Sequence, residues 1–264
     1  MQPLCRSARL ATWGTAALRG HVSPDLAAAQ AVRTDAPHRV TGLADEPDPV
    51  PLTVALHRLG AAGAPGLLLV LPVPGDAAGL PGPTPFNAVA LDAGEAVLAP
   101  APAAVGLVPE VQTQGGPGEA LVLVQWAAHP LVAVPAGVPA GVTEGVTLAE
   151  SERLLQEDLG ETAEALDAMD VARWRPEASE ALGALRAPVS RADTLPPGYG
   201  SRAQRVLALA RRLEAIVELA LQDPGGAVAS TSVAARTDHL RALGRRARHA
   251  QVAACNSWAD DSGG

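Results

Sequence analysis

The stretch "PLVAVPAGVPAGVTEGV" (130–146) constrains the fold more than any other feature, because it separates two halves of different periodicity. Its three prolines and three glycines rule out a regular helix or central strand through it. It repeats a Val-Pro-Ala-Gly-Val unit, but two overlapping copies do not make a solenoid. The expected organisation is a sheet region at 1–130, a linker at 131–146 and a helical region at 147–264.

Before the linker, short apolar runs alternate with Pro and Gly clusters. Ser23 and Pro24 open a helix over "PDLAAAQAV", with Ser23 as N-cap and Pro24 at the first helical position. "HRVTGL" (38–43) reads as a weak strand. In "VPLTVALHRLGAAG" (50–63), Leu52, Val54 and Leu56 alternate as in a strand while Leu56 and Leu59 suit a helical turn; the strand reading is preferred. "APGLLLVLPV" (64–73) has the unbroken apolar run of a strand covered on both faces. Asn87 is expected to cap a short helix that Gly94 ends. "EAVLA", "AVGLVPEVQ" and "EALVLVQWAA" follow as strands (95–99, 104–112, 119–128).

After the linker the period changes. Thr147 and Glu150 form a capping box. Leu148 and Leu155, then Leu159, Ala163, Leu166 and Met169, make one helical stripe. A shorter helix is expected at 177–186. Val206, Leu209, Leu213, Ile216 and Ala220 mark a second stripe, and the segment 228–255 returns after "DPGG", with a break expected at Gly244. The fold class is α+β: a small mixed sheet with short helices in the N-terminal half and a helical hairpin or bundle in the C-terminal half.

Composition then narrows the chemistry. All twenty basic residues are arginine, so Schiff-base chemistry, pyridoxal-phosphate attachment and a phosphate-loop lysine are excluded. The net charge of −8 argues against whole-surface attraction to nucleic acid or an anionic membrane. No run of about 18 apolar residues suggests a membrane span. Arginines interrupt the place where a signal peptide needs its apolar core, and Cys5 and Cys255 read as reduced thiols, so a soluble cytoplasmic protein is expected.

The loop "LPVPGDAAGLPGPTPFN" (71–87) looks at first like a phosphate cradle. Its glycines match neither the dinucleotide fingerprint nor the phosphate loop, and Pro74, Pro81, Pro83 and Pro85 each remove a backbone donor. It reads as a stiff turn, with Phe86 anchoring it to the sheet. Were the sheet parallel here, the loop would still stand where α/β folds place ligands, with Asp76, Thr84 and Asn87 as its polar side chains.

The six histidines lack metal-ligand spacing, no nucleophile elbow occurs, and no cofactor or metal is expected. Charge segregates: 147–199 carries eleven acids and five arginines, and 200–250 carries nine arginines and four acids. Arg241, Arg245, Arg246 and Arg248 cluster late in the last helix, where they offset the helix dipole or face an acidic helix. Nucleic-acid binding there is a third-ranked reading, since base-reading aromatics are lacking. Tyr199 and that arginine cluster are the candidate interaction surface; if exposed, Tyr199 and the four tryptophans would suit a partner interface.

The segments "PFNAVALDAGEAVL", "VGLVPEV" and "LPPGYGSRAQRVLALARRL" resemble proteins of an uncharacterised family from high-GC actinobacteria. The resemblance runs from Trp13 to Asn256 and implies a bacterial cytosol, with no activity or catalytic residue attached. The leading expectation is a non-enzymatic protein that binds an unknown protein partner or a second copy of itself. The alternative is a small-molecule site or enzyme at the 74–87 loop.

Overall fold

The computed structural model describes residues 4–77, 79–116, 120–132, 147–168, 194–222 and 230–258, the side chains of 166–168 and 230–233 excepted. It divides into a sheet unit, comprising Leu4–Gly145, Leu195–Tyr199 and Cys255–Gly264, and a helical unit, comprising Met1–Pro3, Val146–Thr194 and Gly200–Ala254. The expected helix at 177–186 and nearly all of the linker lie outside the described residues.

The sheet unit contains helices α1 (Arg6–Leu18), α2 (Pro24–Val32), α3 (Leu52–Ala61) and α4 (Thr84–Ala93). Its strands are β1 (Arg39–Thr41), β2 (Val50–Pro51), β3 (Leu68–Val70), β4 (Ala96–Ala99), β5 (Val105–Gln114) and β6 (Leu121–Pro130). They form one mixed sheet of order β2-β1-β6-β5-β4-β3, in which only β1 and β6 are parallel. Leu68, Val70, Ala96, Leu98 and Val108 face Phe86 and Ala90 of α4 together with Trp258. Helix α1 lies against β3, β4 and β5 and also touches α2 and α3. Both faces are thus covered, which is why β3 and β4 read as unbroken apolar runs.

Three local expectations give way here. Residues 52–61 are a helix, because Leu52, Ala55, Leu56 and Leu59 bury one face at three- and four-residue spacing. The alternation of Leu52, Val54 and Leu56 left Val54 exposed. Helix α4 starts at Thr84 rather than after Asn87, so Asn87 lies inside the first turn and its Oδ1 accepts from Gly82 N–H at 2.9 Å. Gly94 does end it, at φ +70°. Helix α1 has no counterpart among the expected elements: Ser7 to Thr12 and Gly14 to Ala16 are all buried, the polar Ser7, Arg9, Thr12 and Thr15 among them.

The edge strand β3 is closed by side chains. Asn256 Oδ1 accepts from Leu69 N–H at 2.8 Å while its Nδ2 donates to Leu69 O at 2.9 Å. Thr15 Oγ1 accepts from Leu67 N–H, and both Thr15 Oγ1 and Trp258 Nε1 donate to Leu67 O at 3.0 Å. These satisfy the outward amides and carbonyls that an edge otherwise offers to another chain. Trp258 lies so close over Gly66 that a Cβ there would come within 2.6 Å of the indole.

The helical unit contains α5 (Leu148–Ala168), α6 (Ser201–Gln222) and α7 (Ser230–Asn256), whose last two residues belong to the sheet unit. Thr147 Oγ1 accepts from Glu150 N–H at 3.2 Å, half of the capping box; the Glu150 carboxylate bonds Arg153 instead. Arg236 Nη2 donates to Ala220 O at 2.8 Å, near the C-terminus of α6, where carbonyls lack helical partners. A Cβ at Gly244 would sit 3.2 Å from Val217 Cγ1. The two helices are therefore antiparallel and tightly packed, and α7 runs unbroken through Gly244. The buried seam of α6 is Ala203, Val206, Leu207, Ala210, Leu213, Val217 and Ala220, turned slightly from the expected stripe, with Leu209 and Ile216 half-buried. On α5, Leu155 is buried and Ala163 is exposed; the side chains of Leu166 and Met169 lie outside the described residues.

Candidate functional site

Strands β5 and β6 pair along all ten residues, from Val105↔Pro130 to Gln114↔Leu121. Their neighbours stop early: β4 pairs only with 105–107 and β1 only with 125–127. The far half of this hairpin is a two-stranded ribbon. On its β6 side, Val122 O accepts from Ala36 N–H at 2.8 Å. Among the described residues no strand pairs with the outer edge of β5 from 108 to 114. Side chains 110–114 are exposed, and Val111 and Leu121 are 45% and 49% exposed, on opposite faces. Pro109, which gives no N–H, is tolerated where no outer neighbour needs one.

A buried polar network stands at the root of this ribbon. The Arg6 fork holds Asp35, Nε to Oδ2 at 2.9 Å and Nη2 to Oδ1 at 3.0 Å. Arg9, one turn on, donates Nη2 to the same Oδ2 at 3.3 Å. Trp126 Nε1, which can only donate, reaches His38 Nδ1 at 3.3 Å. Nδ1 is therefore the acceptor, and His38 Nε2–H donates to Asp35 Oδ2 at 3.3 Å. Burial lowers the His38 pKa against the opposing pull of Asp35, so the ring is neutral. Burial works against the Asp35 charge, but the Arg6 fork, His38 and Arg9 outweigh it and hold the carboxyl below its usual range. Arg9 is pushed down by burial and by the charges of Arg33 and Arg6, with Asp35 opposing.

At the start of α1, Ser7 N–H donates to Glu95 Oε2 at 2.8 Å and Ala8 N–H to Cys5 Sγ at 3.4 Å. Burial, then Glu95 and Cys255, push the Cys5 thiol well up, so it is not a ready thiolate. Cys5 and Cys255 lie near enough for this mutual effect, and neither is in a disulfide.

Of the residues singled out in the sequence, the 71–87 loop places Asp76, Thr84 and Asn87 in separate roles. Asp76 closes a tight turn with Val73 around Pro74-Gly75, where Gly75 takes φ +82°. Thr84 is exposed at the start of α4, and the Asn87 carboxamide oxygen is bonded to Gly82. The strand before the loop is antiparallel to its neighbour, so the loop does not follow a parallel strand. Phe86 is buried against Gly106 and His129, as an anchor would be. Tyr199 packs on the core of the sheet unit, and its Oη donates to Cys255 O at 2.9 Å. Burial raises its phenol pKa well above the usual value. In the helical unit Arg246 Nε pairs with Asp158 at 2.9 Å, and Arg248 lies within electrostatic reach of Glu214. Arg241 and Arg245 are exposed. Arg202 also pairs with Glu152 of α5, so basic helices do face the acidic one.

Nothing in the sequence patterns pointed to this network. Arg6 and Arg9, like Asp35 and His38, stand three apart, which was visible; nothing local joins the two pairs.

Residues 7–140 match the description of the Rv1486c-like protein N-terminal domain, and 149–252 match that of its C-terminal domain. The chain belongs to the Rv1486c-like family. A relative in that family, the uncharacterized protein Rv1486c of Mycobacterium tuberculosis (strain ATCC 25618 / H37Rv), is 32% identical over 218 residues, 73% of this chain and 72% of its own length. The uncharacterized protein ML1804 of Mycobacterium leprae is 29% identical over 218 residues, 76% of this chain and 70% of its own. No solved structure matches the family member described here. The family is thus actinobacterial, as the resemblance implied. Among the described residues no helix is long and apolar enough to cross a membrane.

Proposed function

We propose that this member of the Rv1486c-like family is a non-enzymatic cytoplasmic interaction protein that pairs a partner strand along the outer edge of β5. The observation that carries this reading is the mismatch in strand length: β5 runs ten residues, yet β4 covers only 105–107. The remaining edge bears the backbone groups through which strand addition works, beside the exposed Val111. The same unit seals its other edge at β3 with three side chains, so an open edge is not a general property of this sheet. Backbone pairing is largely indifferent to side-chain sequence, and a second β5 satisfies this edge as well as any strand. A second copy is therefore the occupant to which the proposal commits. A ligand site at Asp76, Thr84 and Asn87 is the alternative and has less support, because Asn87 Oδ1 already accepts from Gly82.

Light scattering across a concentration series tests the proposal. The mass should rise from 26.7 kDa toward twice that value, and Val111→Lys, which places a charge on the edge strand, should hold the chain monomeric. A wild-type chain that stays monomeric throughout, or a dimer untouched by Val111→Lys, overturns it.

A further inference from the structure

Arg9 is bonded in a way that its burial does not explain. Its side chain is 8% exposed, and the Asp35 oxygen it reaches is already shared with Arg6 and His38. Its Nε is buried and has no hydrogen-bond partner among the described residues. Asp35 meets Arg9 through Nη2 alone, and its two oxygens already accept four bonds from Arg6, Arg9 and His38. Two guanidiniums therefore share one carboxylate, and His38 adds no negative charge because it is neutral. A buried cation calls for a paired anion as well as a hydrogen bond. A water would serve the N–H but leave the charge.

We propose that Arg9, with Arg6 beside it, binds a small oxyanion, the phosphate or carboxylate group of a ligand, through the Nε–H edge of its guanidinium. A guanidinium presents Nε–H and Nη–H side by side at the spacing of two such oxygens, which favours phosphate and carboxylate over a spherical anion. Arg6 is the solvent-facing member of the network, with its side chain 26% exposed against 8% for both Arg9 and Asp35. The weak member of the network is also the one that must move: Arg9 holds Asp35 at 3.3 Å, whereas Arg6 holds it at 2.9 and 3.0 Å. Arg33 adds positive potential from the turn after α2, where its own backbone takes φ +56°. The site does not depend on strand pairing at β5, so either proposal can fail without the other.

The test follows arginine Nε–H signals by 1H–15N NMR of the full chain. Inorganic phosphate and, separately, acetate are titrated in at constant ionic strength against sodium chloride. One of the two probes should saturably shift a single Nε–H resonance and slow its exchange with solvent; which probe does so identifies the class of oxyanion. That resonance should be missing in Arg9→Lys, and affinity for the anion should fall about tenfold or more in that variant. Should Arg9→Lys fail to fold, Arg6→Gln with the same titration takes its place, with a similar weakening expected. The proposal is overturned if neither probe produces a saturable shift beyond that of chloride, or if the substitution leaves the shift and the affinity unchanged.

Discussion

The two units keep their interiors in order by different means. In the sheet unit, decisive bonds join residues far apart in sequence: Leu69 to Asn256 across 187 positions, Leu67 to Trp258 across 191 and Arg19 to Trp258 across 239. In the helical unit, the interior is mainly a periodic apolar seam, with buried Arg211 and Arg236 beside it, and ion pairs such as Arg153 with Glu150 and Glu157 lie on its exposed side. Exposed pairs of this kind contribute little. The sheet unit is thus specified by a few directional hydrogen bonds, each hard to replace. The helical unit is specified by repeated burial, which tolerates rotation of the seam, as the half-buried Leu209 and Ile216 illustrate.

The contrast can be broken most sharply at Asn256. Its replacement by Ala leaves the buried N–H and C=O of Leu69 without partners. Each orphaned group costs on the order of 1–3 kcal/mol, so the loss from the two should be about 2–6 kcal/mol. Urea unfolding followed by the fluorescence of buried Trp126 should report it, with the Leu69 amide losing exchange protection. Asn256→Asp, which keeps the shape but loses the Nδ2 donor, should also destabilise. An unchanged midpoint would mean that the edge is not held by this amide.

Leu213→Ala probes the other mode and should cost about 2–3 kcal/mol, at the low end for a buried leucine because a helical seam can partly close around the gap. The loss should appear in helical circular dichroism. A loss larger than that of Asn256→Ala would reverse the ranking of the two modes.

The smallest expected effect is at Glu214, whose carboxyl burial pushes up to about 7 from 4.5, against the attraction of Arg248 and Arg211. Between those values the folded chain keeps a proton that the unfolded chain has released. Stability of the helical unit should therefore fall as pH rises through this window and level off above it. The fall should be no more than about 2 kcal/mol after allowing for partial solvent screening. Glu214→Gln should flatten the profile and raise the urea midpoint at pH 8. A wild-type midpoint that rises steadily from pH 5 to pH 8 has the wrong sign for this origin.

The sequence by itself determined several features that depend on neighbours within about a turn or a strand. The Pro24 helix start, the Gly94 stop, the Thr147 cap and the helix over α6 with Val206, Leu213 and Ala220 in its buried face are of this kind, as are the sheet-like and helical halves. Only the tertiary structure decided the rest. Helix α1 was not expected because the burial of polar Ser7, Arg9, Thr12 and Thr15 beside its apolar residues is settled only by the folded chain. Residues 52–61 became a helix because packing chose between two periods that the same leucines satisfy. The closure of β3 by Asn256, the stretch of β5 from 108 to 114 whose outer edge no described strand pairs, and the meeting of Arg6 and Arg9 with Asp35 and His38 depend on chain positions that no local pattern relates. Burial gives those meetings their strength: an amide or a guanidinium that is ordinary in water becomes decisive once water is excluded, and exclusion is a property of the folded chain alone.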